Sequence, residues 1–195
     1  MSRKLRQCLY EVTYHTYSRC IELKPLMKHT IMKELMLSVL RMALEKYHFE
    51  LISYTLMDNH FHFYIRTLRG GESISRIMQF IKSQFALRYN RMMGRTGPFW
   101  NERFSDSITE LSKDPQKTFF DTIINMGFKP VENQHVADPR DYPYSSYRCY
   151  VDQHYTPPVK ITLHRYFMML GETFKERASR FHDFEINYKL RTSEI

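Results

Sequence analysis

The spacing of apolar and polar residues changes several times along the chain, and each change marks an element. Residues 8–17, CLYEVTYHTY, mix β-branched and aromatic side chains in partial alternation and predict a strand. From Leu26 to about Tyr47 the period lengthens. Ile31, Leu35, Val39 and Met42, with Met32, Met36 and Ala43 beside them, recur at helical spacing, and Pro25 suits the first turn. Two strand-like runs follow at 49–57 and 60–67, and the Asp58-Asn59 pair between them makes a β-hairpin. After Gly70-Gly71, Ile77, Phe80, Ile81, Gln84 and Phe85 line one side of a helix from about Ser73 to Met93 that breaks at Gly94. Residues 104–111 alternate as a fourth strand. Ser112 or Asp114 can cap a third helix to about Phe128, with Lys129-Pro130 as its stop, and residues 161–185 form an amphipathic helical tail.

Strand, helix, strand, strand, helix, strand, helix is the order of a split βαβ unit. The expected fold is therefore α+β, a ferredoxin-like antiparallel sheet with helices on one face and a C-terminal helical extension. Its 195 residues suit a single domain, with residues 1–150 as the main body and 151–195 as an extension of it. An aromatic content of 15% with only 6 Gly and 8 Pro excludes a disordered chain.

Charge narrows the class of partner. Lys and Arg number 29 against 21 acids, a net charge of +8, which points to a polyanion, with nucleic acid first and a membrane surface second. The surplus is local: between residues 76 and 103 Arg76, Lys82, Arg88, Arg91, Arg95 and Arg103 face a single acid, Glu102. Tyr89, Phe99 and Trp100 are interleaved with them, as single-strand recognition requires, although a solvated helix with aromatics in the core explains the same pattern. Trp100 and the Met-rich first helix are read as core. Cys8, Cys20 and Cys149 have no C-x-x-C spacing, so neither a disulfide framework nor a zinc knuckle is expected. The start Met1 to Gln7 is basic without an apolar leader region, and no run reaches the ~18 apolar residues of a membrane span. A cytoplasmic protein is expected.

The most informative stretch is Asp58-Asn59-His60-Phe61-His62-Phe63-Tyr64. With a side-chain period of two, His60 and His62 share one face of the strand, and Phe61, Phe63 and Ile65 anchor the other. Two neutral imidazoles so placed can chelate a divalent ion, and a third ligand from a neighbouring element would leave positions open for phosphate or water. Two polar residues on a solvated face are the alternative.

Met57-Asp58-Asn59-His60-Phe61-His62 resembles the His-hydrophobic-His signature of the HUH-superfamily single-tyrosine, or IS200-like, transposases. Residues 85–104 are similar to the Tyr-x-x-x-Asn, Gly, Trp and Arg-Phe pattern of the palindrome-associated tyrosine transposases. Lys129-Pro130-Val131 resembles their Asn-Pro-Val turn, and Asp141-Tyr-Pro-Tyr-Ser-Ser-Tyr147 their Asp-Tyr-Pro-x-Ser-Ser segment. The resemblance implies a ferredoxin-like nuclease that binds hairpin or single-stranded DNA and a divalent metal and cuts and rejoins strands in DNA transposition. In such enzymes a tyrosine of the third helix forms a 5′-phosphotyrosine, the two histidines and a helix Gln or Asn hold the metal, and some members work as homodimers.

The chain departs from that pattern where it matters chemically. Asn125 stands at the nucleophile position and Lys129 at the helix metal-ligand position, and no tyrosine lies between Tyr89 and Tyr142. Asp121, Asn125 and Lys129 are four apart, so one helical face offers Asp121 or Asn125 as a metal oxygen and Lys129 as a phosphate contact, or else is an ordinary solvated row. Tyr89 is the nearest replacement nucleophile. Three readings stay open: a cutting transposase, a catalytically silent derivative that binds single-stranded DNA or RNA for regulation, and a hydrolytic metallonuclease using water.

Overall fold

The computed structural model describes residues 8–193, so the basic start at Met1 to Gln7 lies outside the described residues. Four strands, β1 (Thr13–Arg19), β2 (Phe49–Leu56), β3 (His60–Thr67) and β4 (Ser105–Ile108), form an antiparallel sheet in the order β2-β3-β1-β4. With α1 (Thr30–Lys46) and α2 (Ile74–Met92) as crossovers, this is the expected split βαβ arrangement. Both helices cover one face, packing against Phe61, Phe63 and Ile65 of β3 and Tyr14 of β1.

The other face belongs to α3 (Pro115–Glu132), followed by the short α4 (Arg165–Met168) and by α5 (Phe174–Ser193), which lies against α3. Ile52 and Tyr64 join this second apolar cluster with Phe119, Phe120, Ile123 and Ile124. Ile52 reaches it through a bulge between Leu51 and Ser53. One extra residue reverses the alternation, so Phe49 and Leu51 before it and Tyr54 and Leu56 after it all point toward α1 and α2.

Three boundaries differ from the sequence expectation. The first strand is displaced toward the C-terminus, at Thr13–Arg19, because residues 8–12 lead into the sheet without pairing as a strand. The first helix begins at Thr30, and Ile31, expected on its buried face, is 57% exposed while Met32, Met36, Val39, Leu40 and Ala43 are buried. The third helix does not stop at Lys129-Pro130 but runs to Glu132. An interior proline removes one helical donor and leaves the carbonyl four residues earlier without its bond. Here that carbonyl, on Met126, accepts instead from the buried Thr55 hydroxyl of β2 at 2.9 Å. The helix survives its proline because the sheet supplies the missing donor.

The Asp141–Tyr147 segment covers the open edge of β2. Leu56 N–H donates to the Tyr144 carbonyl at 2.9 Å, Tyr54 N–H to the Ser146 hydroxyl at 2.9 Å, and the Tyr142 hydroxyl to the Leu56 carbonyl at 2.7 Å. Edge strands left bare are templates for aggregation, and this motif closes one.

Candidate functional site

The pleat of β3 turns His60, His62 and Tyr64 toward the α3 side of the sheet, and the antiparallel register adds residues from β1. Tyr17 lies opposite His62, His15 opposite Tyr64, and Arg19 opposite His60. Together with Ser105, Asp106 and Ser107 of β4 and Lys129, Glu132 and Asn133 from the end of α3, they line an open cavity of about 580 Å³.

The imidazoles form one packed group. His15 Nε2 and His62 Nδ1 share a hydrogen bond of 2.9 Å, and the rings of His60 and His62 lie edge to face at 5.2 Å. His60 Nδ1 lies 2.6 Å from Asn59 Oδ1. An amide oxygen only accepts, so Nδ1 carries the proton and Nε2 keeps its lone pair. The turn that presents His60 is itself anchored, since Asp58 accepts from the buried Lys33 ammonium of α1 at 2.7 Å.

Burial sets the protonation state. It pulls His15 down to about 4, helped by Lys129, and His60 down to about 4, helped by Arg19 and Lys129. His62 is driven well below 6.5, first by burial and then by His15, His60 and the two cations. His164, which stacks on Phe119 at 4.6 Å, is lowered by burial to about 4. These imidazoles resist protonation in the fold and accept it in the unfolded chain. Between 6.5 and about 4 the unfolded chain therefore binds more protons, so stability is full above that window and is lost as the pH falls through it. Urea titrations on either side of the window should show a lower midpoint on the acid side, and equal midpoints would contradict these assignments.

The α3 row divides. Lys129 reaches the cavity and pairs with Glu132 at 2.7 Å. Asp121 and Asn125 do not: Asp121 binds Lys117 at 2.7 Å and Arg191 at 2.6 Å, and Asn125 donates to the Tyr188 hydroxyl of α5 at 2.7 Å. Neither lines the cavity, so the packing does not bring a metal oxygen from Asp121 or Asn125 to the histidines. Tyr89, the nearest replacement nucleophile by sequence, is not brought to the histidines either. It is buried on the α2 side of the sheet, against Phe85 and Phe99, away from the histidines.

The residues present fit a divalent ion in part. Two neutral imidazoles with a free lone pair on His60 suit one, and such an ion, when bound, polarises a phosphoryl oxygen. The helix position that would complete the set is a lysine, and among the described residues no group of three or more His, Cys, Asp or Glu has metal-holding geometry.

The basic stretch has a separate place. Arg76, Lys82 and Arg103 border a second cavity of about 780 Å³ between α2 and the loop after it, on the sheet face opposite the histidines. Lys82 lies over the Trp100 ring at 5.4 Å and donates to the Glu102 carbonyl. Arg88 bonds Gln84 and Met42, and Arg95 bonds Asn90 and the Pro98 carbonyl. Arg91 is exposed. Trp100 packs on Phe61, Phe85 and Phe99 and donates its indole N–H to the Lys82 carbonyl.

His15, Tyr17 and Arg19 were missing from the sequence expectation. Their signal was the alternation Thr13-His15-Tyr17-Arg19, and it becomes legible only once β1 is placed beside β3, which the ferredoxin-like order itself requires.

Comparisons place this geometry among known proteins. The structure is similar to that of a REP-associated tyrosine transposase bound to a REP hairpin, at 18% identity and a TM-score of 0.64, covering 83% of this chain and 92% of that one. A candidate transposase from Deinococcus radiodurans matches at 16% identity and a TM-score of 0.41, over 64% of this chain and 98% of that one. No curated protein matches. The family model described as "Transposase IS200 like" matches residues 8–117, a span holding the whole four-stranded sheet and both histidines, and the chain belongs to the IS200-like transposase family.

Proposed function

We propose that this transposase-family protein lays hairpin or single-stranded DNA over the histidine face of its sheet, with the scissile phosphate in the cavity between β1, β3, β4 and the end of α3. The observation that carries the reading is the convergence of three imidazoles with Arg19 and Lys129 around one open cavity. A guanidinium offers paired donors to a phosphate and an ammonium a point charge, and neutral imidazoles keep lone pairs for a cation. His60 and His62 would hold Mg or Mn. Metal-assisted cleavage and rejoining is the family activity that fits these parts, and the similar solved structure, with its REP hairpin, gives the substrate class. Arg76, Lys82 and Arg103, on the opposite face of the sheet, would give DNA a second, separate basic contact. Work in the cytoplasm, where a DNA substrate is met, belongs to the same proposal; among the described residues no helix is long and apolar enough to cross a membrane.

One observation favours a second reading. With Asn125 at the family nucleophile position and its amide bound to Tyr188, the protein would bind DNA without cutting it. Fluorescence anisotropy with a labelled hairpin oligonucleotide carrying a single-stranded flank tests the shared premise. If about four phosphates are neutralised, log affinity should fall against log salt with a slope of about −3. No measurable affinity at low salt would remove both readings.

A further inference from the structure

The family nucleophile is absent from α3, yet the cavity holds a phenol. We propose that Tyr17 is the nucleophile of this protein, acting from β1 in place of the helix tyrosine. This rests on the reading that the cavity takes a DNA phosphodiester.

Among the described residues Tyr17 is the one tyrosine lining that cavity. It stands directly across the ladder from His62, with ring centroids 4.8 Å from His62 and 5.6 Å from His60. Its side chain is half-buried, so it packs on the histidines and is still open in part to the cavity. The Arg19 guanidinium lies over the ring at 5.0 Å and donates through Nε to the phenol oxygen. A cation on that oxygen stabilises it as negative charge develops, and the other guanidinium nitrogens are left to face a phosphate. Lys129 enters the same cavity from the opposite wall.

The remaining phenols near the sheet are placed differently. Tyr64, next along the same face of β3, is fully buried, its hydroxyl bonded to Thr109, and burial pushes its pKa far above the usual phenol value. Tyr89 is on the wrong face. Tyr188 meets Asn125 on α5 and does not line the cavity. A nucleophile needs exposure toward the substrate and a neighbour that stabilises its anion, and Tyr17 has both.

The step balances without a co-reactant. Tyr17 Oη forms a bond to phosphorus, the P–O3′ bond breaks, the phenolic proton passes to solvent, and the departing 3′ oxygen takes up a proton to become a hydroxyl. The product is a 5′-phosphotyrosine. One phosphate ester is exchanged for another, so the reverse attack by a 3′-hydroxyl rejoins the strand.

The test incubates the full chain with a 3′-end-labelled hairpin oligonucleotide bearing a single-stranded flank, in Mg²⁺ or Mn²⁺, and resolves the products under denaturing conditions. A labelled protein band whose adduct maps by peptide mass spectrometry to Tyr17 is the expected result. Tyr17→Phe, checked for fold by circular dichroism, should lose that band. An adduct on another residue, the exposed Ser105 and Ser107 included, would overturn the assignment. So would free nicked ends without an adduct, which mean attack by water. Hairpin binding with neither product would overturn Tyr17 and leave the binding reading standing, whereas absence of binding would overturn both.

Discussion

Phe119→Ala is expected to cost about 3–5 kcal/mol of folding stability, the usual range for deleting a buried phenylalanine whose surroundings cannot collapse. Phe119 is fully buried at the first turns of α3. Its ring stacks on Tyr64 at 5.6 Å and on His164 at 4.6 Å, and meets Phe120 and Tyr166 edge to face at 5.1 and 5.7 Å. Those partners come from the sheet, from the residues before α4 and from α4 itself, so no single element can move into the gap. For a chain of this size each kcal/mol shifts the melting temperature by about 2–4 °C, so a fall on the order of 10 °C should appear in a thermal melt. A change under about 1 kcal/mol would mean that the aromatic cluster under α3 repacks freely and does not hold the helix on the sheet.

His60→Ala is expected to abolish divalent metal binding while leaving the fold almost unchanged. The residue is only partly buried, so its removal opens little cavity. Its Nε2 lone pair is free because Asn59 holds the opposite nitrogen, and its loss leaves His62 without the partner imidazole it would chelate with. Asn59→Ala should therefore act in the same direction but more weakly, by about 10–100-fold in affinity, as loss of an orienting partner usually does. Titration calorimetry with Mn²⁺ reads both. Unchanged affinity in His60→Ala would place the metal elsewhere or remove it from the protein's chemistry.

Much of the fold was legible because its signals are local. The hairpin at 49–67 shows as two β-rich runs around Asp58-Asn59, and the His-x-His face follows from strand alternation alone. The site was less legible because its partners are distant in sequence. Strand pairing places Tyr17 opposite His62, forty-five positions away, and no local period announces that. Asp121, Asn125 and Lys129 share a helical spacing, but the tail helix covers the first two and leaves the third. A period identifies a face and says nothing of what comes to lie on it. The bulge at Ile52 hides in the same way: adjacent Leu51 and Ile52 look like one apolar run, and only two opposed cores explain why both are buried.

The bond from Thr55 to the Met126 carbonyl means that the cationic end of α3 is held in place by something the helix lacks. A helix with every amide intact could slide along the sheet by small amounts without losing any bond of its own. In this one the proline frees the Met126 carbonyl mid-helix and one strand hydroxyl takes it up, so the proline acts as a locating pin. Lys129 is the very next residue before that proline, and its height above the imidazoles is fixed from the sheet side. A substitution at 129 would thus change the chemistry of the cavity wall while the sheet still sets the height from which that residue reaches the histidines.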